Sequence, residues 1–249
     1  MKTALRWTAT ISLVLLAWQA VCVLFSIPRY VFPRPTEVFD YAMVNVTLLA
    51  VDSVVTGIEA FAGLTIGIVV SLLSVIFVYF VPHAERLFAM STATAQSIPV
   101  LVVAPFLTFW FGSGVGSKTA AAALVCVFPL IGGWIAGKNS ILPNEQIFAD
   151  SVLPTRWARL WHFILPRSLP GFIAALKVAA PLSVLGAMVG EFVGARQGLG
   201  FRILTGSYYL RTEEMVSGVF LACVISLLFY LAAHIIEKKW LFWHGASAR

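Results

Sequence analysis

Six long apolar runs divide this chain of 249 residues, and they constrain its fold more than any other feature. A hydrocarbon core about 30 Å thick needs roughly 20 residues of helix to cross it. Charged residues make up only 11% of the chain, whereas a soluble domain carries about 25%. We therefore expect an all-α integral membrane protein. The predicted spans are residues 7–27, 53–81, 91–111, 119–136, 170–194 and 215–236.

The distribution of basic residues predicts the orientation of these spans. Six spans place both termini on one side. With that side inside the cell, the cytoplasmic segments hold ten lysines and arginines and the outer segments hold six. Because cytoplasmic loops are enriched in basic residues, the bias favours cytoplasmic termini. The first run is longer than the core of a signal peptide and shows no small-residue cleavage pattern, so it is interpreted as a retained span.

Other function classes find little support in the composition. The net charge of +6 lies in short loops beside apolar segments rather than on one polar face, which argues against nucleic-acid binding. Single cysteines inside apolar runs predict neither a disulfide nor a metal site. The segment 112–119 resembles a phosphate-binding loop, but Ser117 precedes Lys118 where that motif needs glycine. Neither a metal nor a nucleotide is therefore expected on this chain.

A polar insert at residues 149–166 separates the fourth and fifth runs. Trp157, Leu160, Trp161 and Ile164 are spaced as one face of a helix, and arginines lie off that stripe. A short amphipathic helix of this kind docks either on a partner protein or in the lipid headgroups, and the pattern leaves both open.

Three ionisable residues fall inside the predicted spans: Glu59, Lys177 and Glu191. Such residues are costly in lipid and usually face a cavity or a partner. They indicate either a polar translocation path or pairing between helices, and Glu191 lies close enough to a span end to reach the interface. Small residues spaced by four also predict close helix contacts, in one row formed by Gly63, Gly67 and Ser71 and another formed by Ala179, Ser183 and Ala187.

Several motifs, taken in order, identify a family resemblance. They include the segment 32–38, the pairs Ile98-Pro99 and Ala104-Pro105, the run 110–118, the pairs Leu165-Pro166 and Leu169-Pro170, Glu191, the segment 198–200 and Trp243-His244-Gly245. In this order they resemble the permease subunits of bacterial ABC importers of the nitrate/taurine/sulfonate group, over nearly the whole chain.

One family motif is degenerate here. The Glu-Ala-Ala…Gly…Leu-Pro loop pattern falls on Ile147, Phe148, Ala149, Leu153 and Leu165-Pro166. Leucine therefore stands where the family has the glycine that separates two short helices. Pro154 can break the helix instead, because proline restricts the residue before it and opens a new helix.

The resemblance implies a six-span, type I (MetI-like) permease in the bacterial inner membrane, as one domain over residues 1–249 with a family core at about 53–240 and a cytoplasmic coupling loop at about 138–169. It also implies a homodimer, two ABC ATPase subunits that bind the ATP and magnesium, and a periplasmic or lipid-anchored substrate-binding protein. Together with the resemblance, the row Ala179, Ser183 and Ala187 predicts that the contact between the two copies involves the fifth span. The residues it assigns to ATPase coupling are Ala149, Asp150, Ser151, Leu153, Pro154, Thr155, Arg156, Trp157, Leu160, Trp161, Leu165 and Pro166. The candidate translocation-path residues are Glu59, Pro99, Lys177, Ser183 and Glu191.

The expected substrate is a small anion or small organic molecule, with most of the specificity in the binding protein. The alternative is a secondary transporter driven by an ion gradient, a class that often shows inverted repeats and charged residues in broken helices. The sequence has no convincing repeat, and six spans are few for that class. A membrane enzyme is disfavoured because no catalytic constellation is visible.

Overall fold

The computed structural model describes residues 2–241, and every regular element in that range is helical. Trp243, His244 and Gly245 of the C-terminal motif lie outside the described residues. The elements, in chain order, are α1 Lys2–Leu24, α2 Pro35–Val44, α3 Val46–Phe80, α4 Ala84–Ala95, α5 Val100–Phe111, α6 Val115–Asn139, α7 Pro143–Val152, α8 Arg156–Arg159, a π-helical turn Leu160–Ile164, α9 Leu165–Glu191, α10 Leu199–Tyr208 and α11 Thr212–Trp240.

Four described helical stretches are long and apolar enough to cross a membrane: Val46–Phe80, Val115–Asn139, Arg156–Glu191 and Thr212–Trp240. Two shorter apolar helices, Ser12–Leu24 and Val100–Phe111, stand at the positions of the first and third predicted spans. The six apolar segments and the all-α class predicted from sequence are thus confirmed. Helix α5, with 12 residues, is shorter than the span predicted there.

The third predicted span, at residues 91–111, is wrong as a single helix. It is divided into α4 and α5 around Pro99, whose backbone is extended with φ −62° and ψ 116°. Proline has no amide hydrogen to donate and disfavours a helical residue before it, so the chain leaves the helix here and starts again at Val100.

The predicted start of the fifth span at Pro170 is also wrong. One helical stretch runs from Arg156 to Glu191, through Pro166 and Pro170. The π-helical turn lies immediately before Pro166, and in it the Leu165 amide donates to the Leu160 carbonyl, five residues back. A wider turn of this kind relieves the clash that a proline ring makes with the preceding turn, so the helix continues.

Helix α6 lies at the centre of the fold, between α3 and α9. Glycines allow both of these helices to approach α6 closely. A Cβ atom on Gly63 of α3 would lie 2.3 Å from Ala122 Cβ, and one on Gly186 of α9 would lie 2.7 Å from Ala122 Cα. The prediction that the row from Gly63 to Ser71 permits close helix contact is confirmed. Small residues allow this approach in lipid, where packing rather than water drives association.

The second row of small residues serves a different contact from the one predicted. Ala179, Ser183 and Ala187 are fully buried within a single chain. The prediction that this row forms the contact between two copies is therefore wrong, since no surface of it is left for a second copy. Its spacing reports the close packing of α9 inside the chain instead.

Candidate functional site

A two-helix hairpin occupies the segment for which the family resemblance predicts ATPase coupling. Helix α7 starts at Pro143, and the Glu145 carboxylate accepts a hydrogen bond from the Leu142 amide at 3.2 Å. It ends at Val152, and the next residue, Leu153, is extended with φ −103° and ψ 109°. Proline at the next position restricts Leu153 in this way. The predicted break at Leu153-Pro154 is confirmed, although the glycine is missing.

The next helix begins at Arg156, two residues after the proline. Thr155 is extended, and its hydroxyl accepts a hydrogen bond from the Ala158 amide at 3.1 Å. A threonine in this position satisfies one of the amides that the first turn leaves without a partner. Arg156 is therefore the first helical residue, and the Tyr79 hydroxyl donates to its carbonyl at 3.2 Å.

Two ion pairs hold α7 against the start of the long helix. The Arg159 guanidinium donates to the Asp150 carboxylate, and that of Arg167 donates to Glu145. The hydrogen bond from Arg167, aided by the Leu142 amide, lowers the pKa of Glu145 below its ordinary value. Ala149 is buried against the fold, so the inner face of α7 is fixed.

The outer face of α7 is apolar and exposed. Ile147, Phe148 and Val152 lie in solvent contact, Phe148 with 66% of its surface accessible. Ser151 also lies on this exposed part, where its hydroxyl donates to the Phe148 carbonyl. Exposed aromatic and aliphatic side chains on a small helix are typical of a protein or membrane contact.

The predicted stripe of Trp157, Leu160, Trp161 and Ile164 is divided between inside and outside. Leu160 and Ile164 are buried in the core, as is Leu165 next to Pro166. Trp157 and Trp161 are 56% and 50% exposed, and the Trp157 ring lies 5.0 Å from that of Phe80. Ala149, Leu160 and Leu165 thus anchor the segment within the chain, and only the exposed members are available to a partner.

A polar cluster lies at the opposite end of α9 from α7. The Glu191 carboxylate accepts hydrogen bonds from the Thr56 hydroxyl at 2.6 Å and from the Gly200 amide at 2.5 Å. The Thr56 hydroxyl oxygen in turn accepts from the Leu199 amide at 2.9 Å. Glu191 is fully buried, so it neither reaches the interface nor lines an open path. It fixes the start of α10 against α3 and α9.

Sequence reasoning missed the rest of this cluster. Asp52 accepts from the Gly198 amide at 2.9 Å and from Arg202 Nε at 2.6 Å, and Arg202 also donates to Glu214 at 3.2 Å. The second predicted span begins at residue 53, so Asp52 falls just outside it. Its spacing to Thr56 and Glu59, four and seven residues on, places all three on one helix face and is the signal that identifies the cluster.

Glu59 and Lys118 lie beside this cluster and line a cavity of about 330 Å³. Glu59 and Lys118 are 4% and 2% exposed, respectively. Lys118 Nζ donates to the Ser113 carbonyl, and the Glu59 carboxyl is in hydrogen-bonding contact with the Glu191 carboxyl. Arg196 and Gln197, both exposed, complete the polar part of the lining.

The other three candidate path residues lie apart. Pro99 lines an apolar cavity of about 550 Å³ between the α4–α5 break, α6 and α9. Lys177 forms an ion pair with Glu237 at 2.6 Å and so joins α9 to α11. The buried Ser183 hydroxyl donates to the Ala180 carbonyl at 2.7 Å within its own helix. The structure brings Glu59 and Glu191 together and leaves Pro99, Lys177 and Ser183 at separate places.

Known proteins are similar to this chain in sequence. Residues 63–240 match the family described as "Binding-protein-dependent transport system inner membrane component". The chain is 30% identical to a probable ABC transporter permease protein of Haemophilus influenzae, over 89% of this chain and 91% of that protein. It is 29% identical to the riboflavin transport system permease protein RibX of Chloroflexus aurantiacus, over 98% and 91% of the two chains.

A third relative is the taurine transport system permease protein TauC of Escherichia coli, 24% identical over 95% of this chain and 88% of that protein. The family match covers well over half of the chain, and the apolar helices and the hairpin lie where the family resemblance predicted them. The chain belongs to the binding-protein-dependent transport system inner membrane component family and is a multi-pass permease subunit of an ABC importer, with the all-α type I fold.

Proposed function

We propose that two copies of this chain form the translocation path of an ATP-driven importer, and that the exposed face of α7, together with Trp157 and Trp161, takes up the motion of a cytoplasmic ATPase. The observation that carries the proposal is this hairpin, defined here as the coupling hairpin and comprising residues 143–161. Its inner face is held by two ion pairs and buried apolar side chains, and its outer face is apolar and exposed.

A continuous helix links the coupling hairpin to the opposite end of the fold, and this supports the transmission of force along the chain. The second helix of the hairpin continues without a break from Arg156 to Glu191. It packs against α6 through glycines such as Gly171, where a Cβ atom would lie 2.5 Å from the Gly133 carbonyl oxygen. Close-packed helices move as rigid bodies, because packed interfaces do not deform continuously. A displacement at Trp157 is therefore carried to the opposite end of the fold.

The apolar cavity beside Pro99 is the proposed half-site of the translocation path. It is bordered by the break between α4 and α5, where proline has already interrupted the backbone hydrogen bonding. Other apolar side chains of α5, including Leu101, Val102 and Phe109, are exposed in one chain. A second copy facing this side would enclose the path and cover these side chains. The termini are proposed to lie in the cytoplasm, on the side of the coupling hairpin.

The solute is proposed to be a small organic molecule that arrives on a substrate-binding protein. The names of the relatives span riboflavin, taurine and aliphatic sulfonates. Proteins of similar sequence therefore serve solutes of different size and charge, which agrees with specificity that resides mainly in the binding protein.

Copurification of the ATPase with charged variants of the coupling hairpin tests the proposal. Phe148→Asp and Trp161→Asp each place a carboxylate on the exposed apolar face. If that face is desolvated in the complex, each change costs about 2 kcal/mol or more and weakens assembly roughly thirtyfold. Tyr208→Asp is the control, because Tyr208 is 81% exposed at the end of α10, away from the coupling hairpin.

At matched membrane expression, the two hairpin variants are expected to lose the ATPase while Tyr208→Asp retains it. Equal recovery of the ATPase with all three variants would contradict the proposal. The hairpin would then be a helix lying in the lipid headgroups, the alternative that the amphipathic pattern leaves open.

A further inference from the structure

We propose that the groove between α3, α9 and α11 holds one acyl chain of an anionic phospholipid, and that Lys239 binds the phosphate of its headgroup. We call this groove the lipid groove. It has a volume of about 360 Å³ and is lined by Leu64, Leu176, Ala233 and other side chains of these three helices. It shares no lining residue with the cavity beside Pro99 or with the coupling hairpin, so the inference goes beyond the proposed function.

The lipid groove has a buried floor of small side chains and an exposed rim of large ones. Ala180 of α9 and Ala233 of α11 form the floor and are buried, whereas Phe61 and Leu228 at the rim are exposed. The short alanine side chains leave a space that their larger neighbours do not fill. Atoms that line such a gap lose dispersion contacts unless another group fills it, and a flexible hydrocarbon chain can do so.

The chemistry of the lining favours a hydrocarbon chain over a polar solute. Thr65 is the one polar side chain among the described lining residues, and its hydroxyl donates to the Phe61 carbonyl at 2.8 Å. That donor is therefore already used within α3. A polar solute would exchange its hydrogen bonds to water for apolar surface, which is unfavourable. An acyl chain has no hydrogen bonds to lose.

The length of the lipid groove matches one leaflet of a membrane. Along α11 it runs from Leu228 to Ile236, which is about 12 Å at roughly 1.5 Å per residue. One leaflet supplies about 15 Å of a hydrocarbon core that is about 30 Å thick. Helix α11 ends four residues after Ile236, at the exposed Trp240, and tryptophan is enriched at headgroup level. The lipid groove thus runs from the interface towards the middle of the membrane.

Lys239 lies where the headgroup of such a lipid would be. The lining residues of α11 fall at 228–229, 232–233 and 236, and the next positions on that helix face are Lys239 and Trp240. Lys239 is exposed and forms no ion pair in the described part of the chain. Glu237, the nearest acid in sequence, is already paired with Lys177 at 2.6 Å. An ammonium group without a counterion at the end of an apolar groove is complementary to a lipid phosphate.

Native mass spectrometry of the full-length permease in detergent, titrated with lipid, tests the inference without any partner protein. The probes are dioleoyl phosphatidylglycerol, which is anionic, and dioleoyl phosphatidylcholine, which has the same chains and no net charge. The first phosphatidylglycerol is expected to bind about fivefold or more tightly than phosphatidylcholine, the attraction typical of one basic residue near an anionic headgroup. Glycerol 3-phosphate, which has the phosphate but no chains, is expected not to compete.

Two adjacent lysines form a matched pair of variants for the headgroup. Lys239→Gln is expected to weaken binding of phosphatidylglycerol about fivefold and to remove its preference over phosphatidylcholine. Lys238 is also exposed and carries the same charge. Its position is turned by about 100° from the groove face, so Lys238→Gln is expected to change either affinity by less than about twofold.

Two adjacent tryptophan substitutions test the lipid groove itself. Ala232→Trp places an indole ring in the lipid groove from an exposed position and is expected to weaken binding of both lipids about tenfold, because the acyl chain loses its apolar contact. Leu231→Trp adds the same ring at an exposed position outside the lining and is expected to leave both affinities unchanged.

Three results would overturn the site: equal affinity for the two lipids, equal losses in Lys238→Gln and Lys239→Gln, or wild-type lipid binding in Ala232→Trp. Displacement of the lipid by glycerol 3-phosphate would also overturn it and identify a simple anion site. Dissociation of a dimer by Ala232→Trp, with lipid binding unchanged, would show that a second copy covers the groove instead.

Discussion

Gly198 lies directly on the carboxyl group of Glu191, so closely that a Cβ atom on Gly198 would come within 2.4 Å of Glu191 Oε2. The φ of Gly198 is +110°, a value that side chains disfavour. The same residue donates its amide to Asp52. Two carboxylates from α9 and α3 thus meet the first turn of α10, where backbone amides and the helix dipole favour negative charge.

Replacing Gly198 with alanine is expected to destabilise the fold through both strain and overlap. Gly112 provides the matched control, because its φ is +75° but nothing lies within 4 Å of an added Cβ. Gly112→Ala should cost about 1–2 kcal/mol from backbone strain alone. Gly198→Ala should cost about 1–3 kcal/mol more, because the carboxyl of Glu191 has to move.

Thermal unfolding in detergent measures this difference through the reaction of the buried Cys22 and Cys126 with a thiol reagent, in a background where the exposed Cys223 is alanine. A Gly198→Ala protein as stable as Gly112→Ala would show that Glu191 is not fixed in contact with the loop.

Two adjacent glycines of α6 make a second matched pair. A Cβ on Gly133 would lie 2.4 Å from Ala175 Cβ and 2.7 Å from the Gly171 carbonyl, whereas nothing lies within 4 Å of one on Gly132. Gly132→Ala should be neutral or stabilise by up to about 1 kcal/mol, because alanine is the better helix former. Gly133→Ala should separate α6 from α9, destabilise the chain and lower uptake. Equal effects of the two changes would argue against this helix contact.

The attachment of α7 should depend on pH through Glu145. The hydrogen bond from Arg167 lowers the pKa of Glu145 in the folded chain, so the unfolded state binds a proton at higher pH than the folded state does. The pair therefore stabilises α7 above the ordinary pKa of glutamate and is lost as the pH falls through the folded pKa. Hydrogen exchange of the α7 amides in wild type and Glu145→Gln measures this contribution.

At neutral pH the amides of α7 should exchange more slowly in wild type than in Glu145→Gln, and the ratio of the two protection factors should approach one in acid. A ratio that grows towards acid, or equals one at every pH, would exclude this role. Arg167→Gln is the matched control, since it removes the same ion pair from the other side.

Cysteine labelling tests the proposed orientation. Asn144 precedes the exposed face of α7 and Ser207 lies near the end of α10, both exposed and at opposite ends of α9. In the Cys223→Ala background, a membrane-impermeant reagent should label Ser207→Cys in intact cells and Asn144→Cys only after the membrane is opened. Labelling of both from outside would rule out the topology, and the reversed pattern would invert it.

The apolar segments and the break at Pro154 are predictable from the sequence because they depend on local properties, namely hydropathy and the geometry of proline. The break at Pro99 is predictable by the same rule, yet the run of apolar residues around it favours one helix. Long-range pairing is harder to predict. Asp52 and Arg202 are 150 positions apart and meet at 2.6 Å, and neither residue indicates its partner by local pattern.

The small-residue row from Ala179 to Ala187 shows a second limit of prediction from the sequence. Its spacing predicts that a helix approaches closely, and this is correct, but spacing does not say whether that helix belongs to the same chain or to another copy. Likewise, the period of Trp157, Leu160, Trp161 and Ile164 identifies one stripe, whereas the fold buries Leu160 and Ile164 and exposes the two tryptophans. Which part of a stripe is buried depends on α3 and α6, which are distant in sequence.

ATP-driven uptake by the reconstituted complex is the most direct test of the central claim, that this permease couples solute movement to a cytoplasmic ATPase through the hairpin at residues 143–161. Proteoliposomes would contain the permease and its ATPase, with the binding protein and labelled solute added on the opposite side from ATP. Uptake is predicted to require ATP and the binding protein, to persist when ionophores collapse the ion gradients, and to be lost in Phe148→Asp but not in Tyr208→Asp. Uptake that follows an imposed ion gradient without ATP, and is unchanged in Phe148→Asp, would contradict the account and identify a secondary transporter.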